Sequence, residues 1–235
     1  MRKEEWLSRW ESGQTGWHQH GGSSALRKFW PGVAAGSRVL VPLCGKSADL
    51  LWLAEQGCDV TGIELSEIAA RSFFDEACIP YAESRSAGFR FFRAQGHNIS
   101  IGCGDYFDFE DQAFDALYDR AALVALPPDL RPAYVQHTRG LLKPGAAHLL
   151  LTLEYDQSRA GGPPFSVMPD EIEGYWRGLR RIAARNDTNT IPPKFRQAGI
   201  DEITEAVWLN SPPEAVFEAV RHPTSTAGFV ALIYY

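Results

Sequence analysis

Two strand-like segments with a helix between them carry the residues that point most directly to chemistry. Residues 40–66 read LVPLCGKSADLLWLAEQGCDVTGIELS, where the turn after the first strand holds a single glycine, Gly45, and the second strand ends at Glu64. A turn that binds a dinucleotide pyrophosphate needs several glycines, because the backbone must approach the phosphates closely. An acid at the end of the second strand instead suits the hydroxyls of a ribose. A nucleoside without phosphates fits both observations, and S-adenosylmethionine is the common cofactor of that description.

Each of these residues also has a purely structural interpretation. The same layout places Asp105 and Tyr106, after the third main strand, near the adenine of such a ligand. Asp105 could equally cap a helix, Gly45 could be ordinary turn chemistry, and Glu64 could favour the dipole of the following helix. The ordered combination carries more weight than its members.

The segments around these residues alternate between strand and helix patterns. RVLVP at 38–42 is typical of a strand buried on both faces, and the following helix is expected to end at Gly57. DVTGIELS predicts a second strand, after which Ser66 caps a second helix. FRFFRA and NISIGC predict a hairpin or an added strand pair, and further strands are expected at AFDALYDR, AHLLLTLEY, LRRIAARN and EITEAVWLN. The alternation predicts an α/β protein with a doubly wound, mostly parallel sheet.

Composition excludes several classes of partner. Hydrophobic residues make up 45% of the 235, enough for the core of one domain, so we expect residues 1–235 to form a single domain. The net charge of −6, with no run of Lys or Arg longer than a pair, argues against nucleic acid and anionic membranes. No apolar stretch approaches the roughly 20 residues of a membrane span, and no signal-peptide pattern opens the sequence, which predicts a cytoplasmic protein. The four scattered cysteines indicate reduced thiols.

Ordered motifs extend over most of the chain, from about Trp6 to Leu209. They are W-x-x-x-W at Trp6 and Trp10, GQTGWH at 13–18, VPLCGKSADLLWLAEQG, GIELSE, CGDYF, YDRAALVALPPDLR, LLKPG, TLEYDQSRAGGPPFSV and KFRQAG. This ordered set resembles the thiopurine S-methyltransferase family in its bacterial form. The resemblance implies a Rossmann-like class I methyltransferase, with helices on both faces of a seven-stranded sheet and S-adenosylmethionine as cofactor. It also implies an N-terminal cap over the cofactor at residues 1–36, and leaves residues 211–235 as an extension of unknown role.

The resemblance assigns roles to individual residues. Trp6 and Trp10 match tryptophans that close over the methionine part of the cofactor, although their i, i+4 spacing alone favours a pair that covers the core. Arg120 matches an active-site arginine where acceptor and cofactor meet; an ion pair with Asp119 is the structural alternative. The residues implied to bind the cofactor are Trp6, Trp10, Leu43, Gly45, Glu64, Asp105, Tyr106 and Arg120. Those implied to bind the acceptor are Trp17, His18, Arg120, Pro163, Pro164, Phe165 and Lys194, with Arg196 as the alternative to Lys194.

The implied reaction moves a methyl group from a sulfonium by in-line displacement, which needs alignment and exclusion of water more than proton transfer. A thiolate, or a selenium or tellurium oxyanion, is nucleophilic enough without a strong general base. Arg120 can attract and orient such an anion, and flat tryptophan and proline faces suit a planar ring. We therefore expect small aromatic or heterocyclic thiols, or selenium and tellurium oxyanions, as acceptors, and a role in detoxification.

Three alternatives stay open at this point. The acceptor could be a halide, thiocyanate, an amine or an oxygen nucleophile. The same sheet could serve an NAD-dependent oxidoreductase, which the missing glycines disfavour, or a noncatalytic ligand-binding domain. We expect a monomer and no metal, because His18 and His20 form an H-x-H pair without a third ligand in the sequence.

Overall fold

The structure, a computed structural model, describes residues 3–15, 18–188 and 191–210. The helices of these residues are α1 (Lys3–Glu11), α2 (Ser24–Phe29), α3 (Asp49–Glu55), α4 (Glu67–Glu76), α5 (Arg131–Leu141), α6 (Pro169–Tyr175) and α7 (Pro193–Gln197). Two compact units alternate along the chain. The first comprises the described parts of Met1–Gly22, Val33–Tyr118 and Gln136–Ala146, and the second comprises Ser23–Gly32, Asp119–Val135 and the described residues from Ala147 onward.

The first unit is built on parallel strands at its centre and an antiparallel group at one side. Its strands are β1 (Arg38–Pro42), β2 (Asp59–Glu64), β3 (Tyr81–Ser86), β4 (Phe89–Ala94), β5 (Ile99–Cys103) and β6 (Phe114–Arg120), whose last residues enter the second unit. Their order is β3-β4-β5-β2-β1-β6. β1 pairs in parallel with β2 and β6, and β2 with β5, whereas β3, β4 and β5 are antiparallel to one another. The carboxyl ends of β1, β2, β5 and β6 therefore share the edge at which such sheets bind ligands.

Local signals in the sequence set the ends of the helices in this unit. The hydroxyl of Ser66 accepts a hydrogen bond from the N–H of Ala69 at 3.4 Å, so Ser66 caps α4 as predicted. α3 ends just before Gly57, whose φ of +86° is the left-handed conformation that glycine adopts without strain. The βαβ unit around the Gly45 turn is thus confirmed.

The second unit contains a group of antiparallel strands. β7 (Leu142–Glu154), which begins in the last residues of the first unit, pairs with β9 (Ile203–Asn210), and β9 pairs with β8 (Leu179–Asp187). Their order is β7-β9-β8. The strands expected at AHLLLTLEY, LRRIAARN and EITEAVWLN are confirmed.

The α/β class is confirmed, but the strand count differs from the expected seven, since the described residues contain nine strands. β3, with the sequence YAESRS, is largely exposed to solvent, so it lacks the apolar alternation by which a half-buried strand is recognised. Residues 23–32 of the expected N-terminal cap lie with the second unit. The single domain and the cap stay predictions, and residues 211–235 lie outside the described part of the chain. No helix in the described part is long and apolar enough to cross a membrane.

Candidate active site

Glu64, the last residue of β2, is held by backbone N–H groups from two turns. Its Oε2 accepts a hydrogen bond from the N–H of Gly45 at 2.8 Å, and its Oε1 accepts one from the N–H of Ser66 at 2.9 Å. Burial raises the pKa of this carboxyl, and hydrogen bonding from the backbone N–H groups of Ser66, Gly45 and Leu65 partly offsets that rise. Because each carboxylate oxygen has two lone-pair sites, each can accept one further hydrogen bond. The carboxylate is therefore oriented by the protein and still able to bind two hydroxyl donors.

The turn after β1 is strained and closely packed. Leu43 and Gly45 have φ values of +48° and +54°, the left-handed region that non-glycine residues rarely adopt. The N–H of Cys44 donates to the carbonyl oxygen of Ile63 at 3.0 Å, which ties the turn to the end of β2. A Cβ on Gly45 would lie 3.4 Å from Cζ2 of Trp10. The turn thus brings its own backbone and the indole of Trp10 together beside Glu64.

The N-terminal tryptophans lie on α1 in the same unit. Trp6 is half-buried and has the guanidinium carbon of Arg9 5.7 Å from its ring centre, whereas Trp10 is buried. Trp10 lies on the glycine turn, and the cofactor role of both residues stays a prediction. Trp17, the third tryptophan assigned to the site, lies outside the described residues.

Asp105 and Tyr106 follow β5 and begin a single 3₁₀ turn, Tyr106–Asp108. Asp105 Oδ1 accepts a hydrogen bond from the N–H of Phe107 at 3.1 Å, so the capping interpretation holds, and Oδ2 forms an ion pair with Lys3. The ring of Tyr106 is buried, and its hydroxyl oxygen lies 2.8 Å from that of Thr138. The side chain of Tyr106 is committed to packing, which leaves its backbone for contact with a ligand.

His18, assigned to the acceptor side, has most of its side chain buried, with 9% exposed. Its Nε2 lies 3.8 Å from Oε2 of Glu76, at the end of α4, and its ring centre is 4.7 Å from that of His20. Lys46 donates a hydrogen bond to the other oxygen of Glu76 at 2.5 Å. Sequence reasoning did not connect Glu76 with the histidines, because nothing in a helix end signals a neighbour in a distant segment.

Arg120 ends β6 and is followed by strained backbone, since Ala121 has a φ of +74°. The preceding carboxylate, Asp119, is fully buried and accepts hydrogen bonds from the hydroxyl of Tyr134 at 2.7 Å and the N–H of Leu123 at 3.2 Å. Burial raises the pKa of Asp119 to about 6, against the opposing effect of these bonds. The turn that carries Arg120 is therefore fixed from its buried side.

The proline segment of the second unit packs against the same turn. The N–H of Phe165 donates to the carbonyl oxygen of Val124 at 2.6 Å, a few residues after Arg120. Pro163 and Pro164 are buried, and Phe165 is half-buried. The second unit thus brings the proline segment to the chain that follows Arg120.

Two further side chains hold the carbonyl groups of the prolines. The ammonium of Lys194 donates to the carbonyl oxygen of Pro163. Tyr155 donates from its hydroxyl to the carbonyl oxygen of Pro164 at 2.6 Å. Lys194, which contacts the proline segment, is partly buried, whereas the side chain of Arg196 is exposed.

Arg131 makes hydrogen bonds to three separate segments around the proline segment, and the sequence did not predict a role for it. Its Nε donates to the carbonyl oxygen of Leu126 at 3.0 Å, one terminal nitrogen donates to that of Ser166 at 3.1 Å, and the other binds both oxygens of Glu171 at 2.8 Å. Arg131 is 1% exposed. It connects the chain after Arg120 with the residue after Phe165. The sequence pattern gave no signal, because a lone arginine near a helix start reads as a surface residue.

Two of the cysteines, Cys44 and Cys103, are buried close to the carboxylate of Glu64. All four are free thiols, as predicted, and only Cys78 is exposed. Burial raises the pKa of Cys44 well above its ordinary value and that of Cys103 to about 12, and the negative charge of Glu64 adds to both effects. Since the thiolate is the reactive form, these two buried thiols are inert near neutral pH.

Comparison with known sequences gives a consistent result. A sequence model described as thiopurine S-methyltransferase matches residues 1–211. A thiopurine S-methyltransferase of Nitrosospira multiformis is 42% identical over 217 residues, covering 89% of this chain and 97% of that protein. One of Pseudomonas syringae pv. tomato is 43% identical over 216 residues, with coverage of 89% and 97%.

Comparison with solved structures supports the fold. The chain is similar to a Burkholderia thailandensis 1,6-didemethyltoxoflavin-N1-methyltransferase, whose crystal structure contains 1,6-didemethyltoxoflavin and S-adenosylhomocysteine. The TM-score is 0.56 at 17% sequence identity, covering 88% of this chain and 86% of that chain. At this identity the similarity supports the class I methyltransferase fold and nothing finer.

Proposed function

Since the chain belongs to the thiopurine S-methyltransferase family and is an S-adenosylmethionine-dependent S-methyltransferase, we propose that its acceptors are small aromatic or heterocyclic thiols, or oxyanions of selenium and tellurium. The names of the relatives support the thiol class. The chemistry of Arg120 supports an anionic acceptor in general. The alternative of an NAD-dependent oxidoreductase is set aside, because the family uses S-adenosylmethionine.

The main support for cofactor binding is the way the carboxylate of Glu64 is oriented. Its two oxygens are each oriented by one backbone N–H, at 2.8 and 2.9 Å, and each can accept one hydroxyl of a ribose. Trp10, which lies against Gly45, would cover the cofactor from α1 together with Trp6. Leu43 in the same turn would contact the cofactor, and Asp105 and the backbone of Tyr106 would face the adenine. These residues fit a nucleoside that lacks phosphates.

When bound, S-adenosylmethionine supplies a methyl group on a positively charged sulfur, and we propose that an anionic acceptor displaces it in line. Arg120 would attract the acceptor and increase the ionised fraction of a thiol, because a nearby positive charge stabilises a thiolate. Pro163, Pro164 and Phe165, held by Lys194 and Tyr155, would offer flat apolar faces that exclude water, and Trp17 and His18 would complete the acceptor side. No general base is required.

A methyl-transfer screen tests the acceptor class. We expect radiolabelled methyl to pass to an aromatic thiol, and to selenite or tellurite, and not to iodide, thiocyanate, an amine or a phenol. Preferential methylation of one of the latter would replace the proposed acceptor by the alternative class. Replacement Arg120→Met should lower kcat/KM for the thiol about 10- to 150-fold, since it removes an interaction with a charged group of roughly 1.5 to 3 kcal/mol. The exposed Arg177→Met serves as the matched control.

The biological setting is part of the same proposal. A monomer that works in the cytoplasm and detoxifies reactive thiols or oxyanions accords with the chemistry above. Light scattering on the purified protein tests the monomer, and growth in tellurite with and without the gene tests the detoxifying role.

A further inference from the structure

Two imidazoles and a carboxylate come together at the end of α4 in the first unit. One ligating atom from each of His18, His20 and Glu76 lies within 4.8 Å of the other two. His18 Nε2 and Glu76 Oε2 are 3.8 Å apart, and the two imidazole rings meet edge to face, with their centres 4.7 Å apart. The fold therefore supplies the third ligand that the H-x-H sequence lacks.

We propose that these three side chains bind a divalent transition-metal ion of the zinc class. Two imidazole nitrogens and one carboxylate oxygen are the donor set that zinc prefers when one coordination position stays open. Bond lengths of roughly 2.0 to 2.2 Å in a tetrahedral site separate the donor atoms by about 3.3 Å. The His18–Glu76 pair is already close to that separation, and the exposed side chain of His20 can rotate to close the rest.

Lys46 contacts Glu76 without occupying the oxygen that would bind the metal ion. Its ammonium donates to Oε1 of Glu76, while Oε2 is the oxygen that faces His18. A hydrogen-bonded outer partner fixes the orientation of a ligating carboxylate. The positive charge of Lys46 opposes the cation, so the affinity should be lower than that of a site without it.

The metal site shares His18 with the proposed acceptor side, but the ion takes no part in the methyl transfer itself. Methyl transfer to a thiolate needs no metal, and the metal site holds whether or not the proposed acceptors are correct. A bound ion would join the segment around His18 and His20 to the end of α4. It would therefore restrain the residues that follow α1.

Metal titration of the untagged, chelator-treated protein tests the proposal. We expect calorimetry to show one Zn²⁺ bound per chain, and Co²⁺ to give the visible absorption of a tetrahedral site. The ligand variants are His20→Ala and Glu76→Gln; both residues are exposed, so the variants should fold, as circular dichroism would verify. Each should weaken binding more than about 100-fold, beyond the roughly 10- to 100-fold that loss of an outer partner causes.

Two control variants separate this site from adventitious ligands. His97→Ala removes another exposed imidazole, and Cys78→Ser removes the exposed thiol; both should bind Zn²⁺ like the unaltered chain. Absence of stoichiometric binding to the unaltered chain would overturn the proposal. So would binding that survives in both ligand variants, or binding that disappears with Cys78→Ser.

Discussion

Replacing Glu64 by glutamine tests the central feature of the cofactor site. The substitution keeps the size of the side chain but removes its charge and turns one oxygen into an N–H₂ donor. In the structure both oxygens accept from backbone N–H groups, Gly45 and Ser66, so one of these donors would face another donor. The variant therefore also disturbs the orientation of the group that is to receive the ribose.

The expected loss of affinity follows from these contacts. A hydrogen bond to a charged group contributes about 1.5 to 3 kcal/mol, so loss of one such bond to a ribose hydroxyl weakens binding about 10- to 150-fold. Calorimetric titration with S-adenosylhomocysteine measures the effect. Glu55→Gln makes the same change at an exposed position and should leave the affinity unaltered. Equal affinity of Glu64→Gln and the unaltered chain would refute the assignment.

The pH dependence of the same titration supplies a second reading. Burial raises the pKa of Glu64 in the free protein, so protonation begins at a higher pH than for an ordinary glutamate. Only the ionised carboxylate accepts from both hydroxyls. Affinity of the unaltered chain should therefore fall on acidification before an ordinary glutamate would titrate, whereas the glutamine variant should lack this component. Parallel pH profiles of the two proteins would contradict the reasoning.

Three further predictions concern stability. Asp119 has its pKa raised from 3.8 to about 6, so between those pH values the unfolded chain loses the proton that the folded protein keeps, and the free energy of unfolding falls as pH rises, by on the order of 3 kcal/mol. Urea denaturation at several pH values should show that Asp119→Asn loses this slope, and an unchanged slope would exclude Asp119 as its source. Arg131→Met should lower the free energy of unfolding by about 3 to 5 kcal/mol, because it leaves Glu171 and two carbonyl groups without their buried partner. A loss below about 1 kcal/mol would show that the hydrogen bonds of Arg131 are not important for stability. Gly45→Ala should lower the free energy of unfolding by about 1 to 2 kcal/mol, because the residue has a φ of +54°, and it should also weaken S-adenosylhomocysteine binding. The control Gly140→Ala, where an added Cβ has no atom within 4 Å, should have neither effect. Equal behaviour of the two variants would refute the role of the turn.

The parts of the fold that the sequence predicted are those where one local signal decides. After Arg38 the segment RVLVP is apolar, which predicts a strand buried on both faces, and Ser66 and Gly57 mark helix ends by their own chemistry. The sequence did not predict β3, because its residues are largely polar and exposed and the strand is held by backbone pairing with β4. Such a strand depends on its neighbour and carries no signature of its own.

For the candidate site, the sequence indicated residue types at strand ends but not the contacts that orient them. Glu64 could be proposed from its place at the end of a strand, since the carboxyl end of a parallel strand is where ligands bind. The pairing of Glu76 with His18, and the bonds of Arg131 to Leu126 and Ser166, join segments far apart in the chain. Pairings of this kind depend on tertiary packing, which a single sequence does not reveal.

Gly45, the single glycine of the first turn, and Glu64, the acid at the end of the second strand, are joined by a hydrogen bond. In a phosphate-binding turn the free backbone N–H groups point at the phosphate. Here the N–H of Gly45 donates to Glu64 instead, at 2.8 Å. A phosphate at this N–H would compete for the donor and would lie beside a buried carboxylate, where two like charges about 4 Å apart repel by roughly 4 kcal/mol. We therefore expect Glu64 to select a ligand that offers hydroxyl donors and no phosphate, so removal of the acid should weaken the preference for a nucleoside over a nucleotide as well as the affinity itself. Calorimetric competition between adenosine and adenosine monophosphate, run on the unaltered chain and on Glu64→Gln, measures that preference directly; an identical ratio of affinities in the two proteins would show that the acid does not set it.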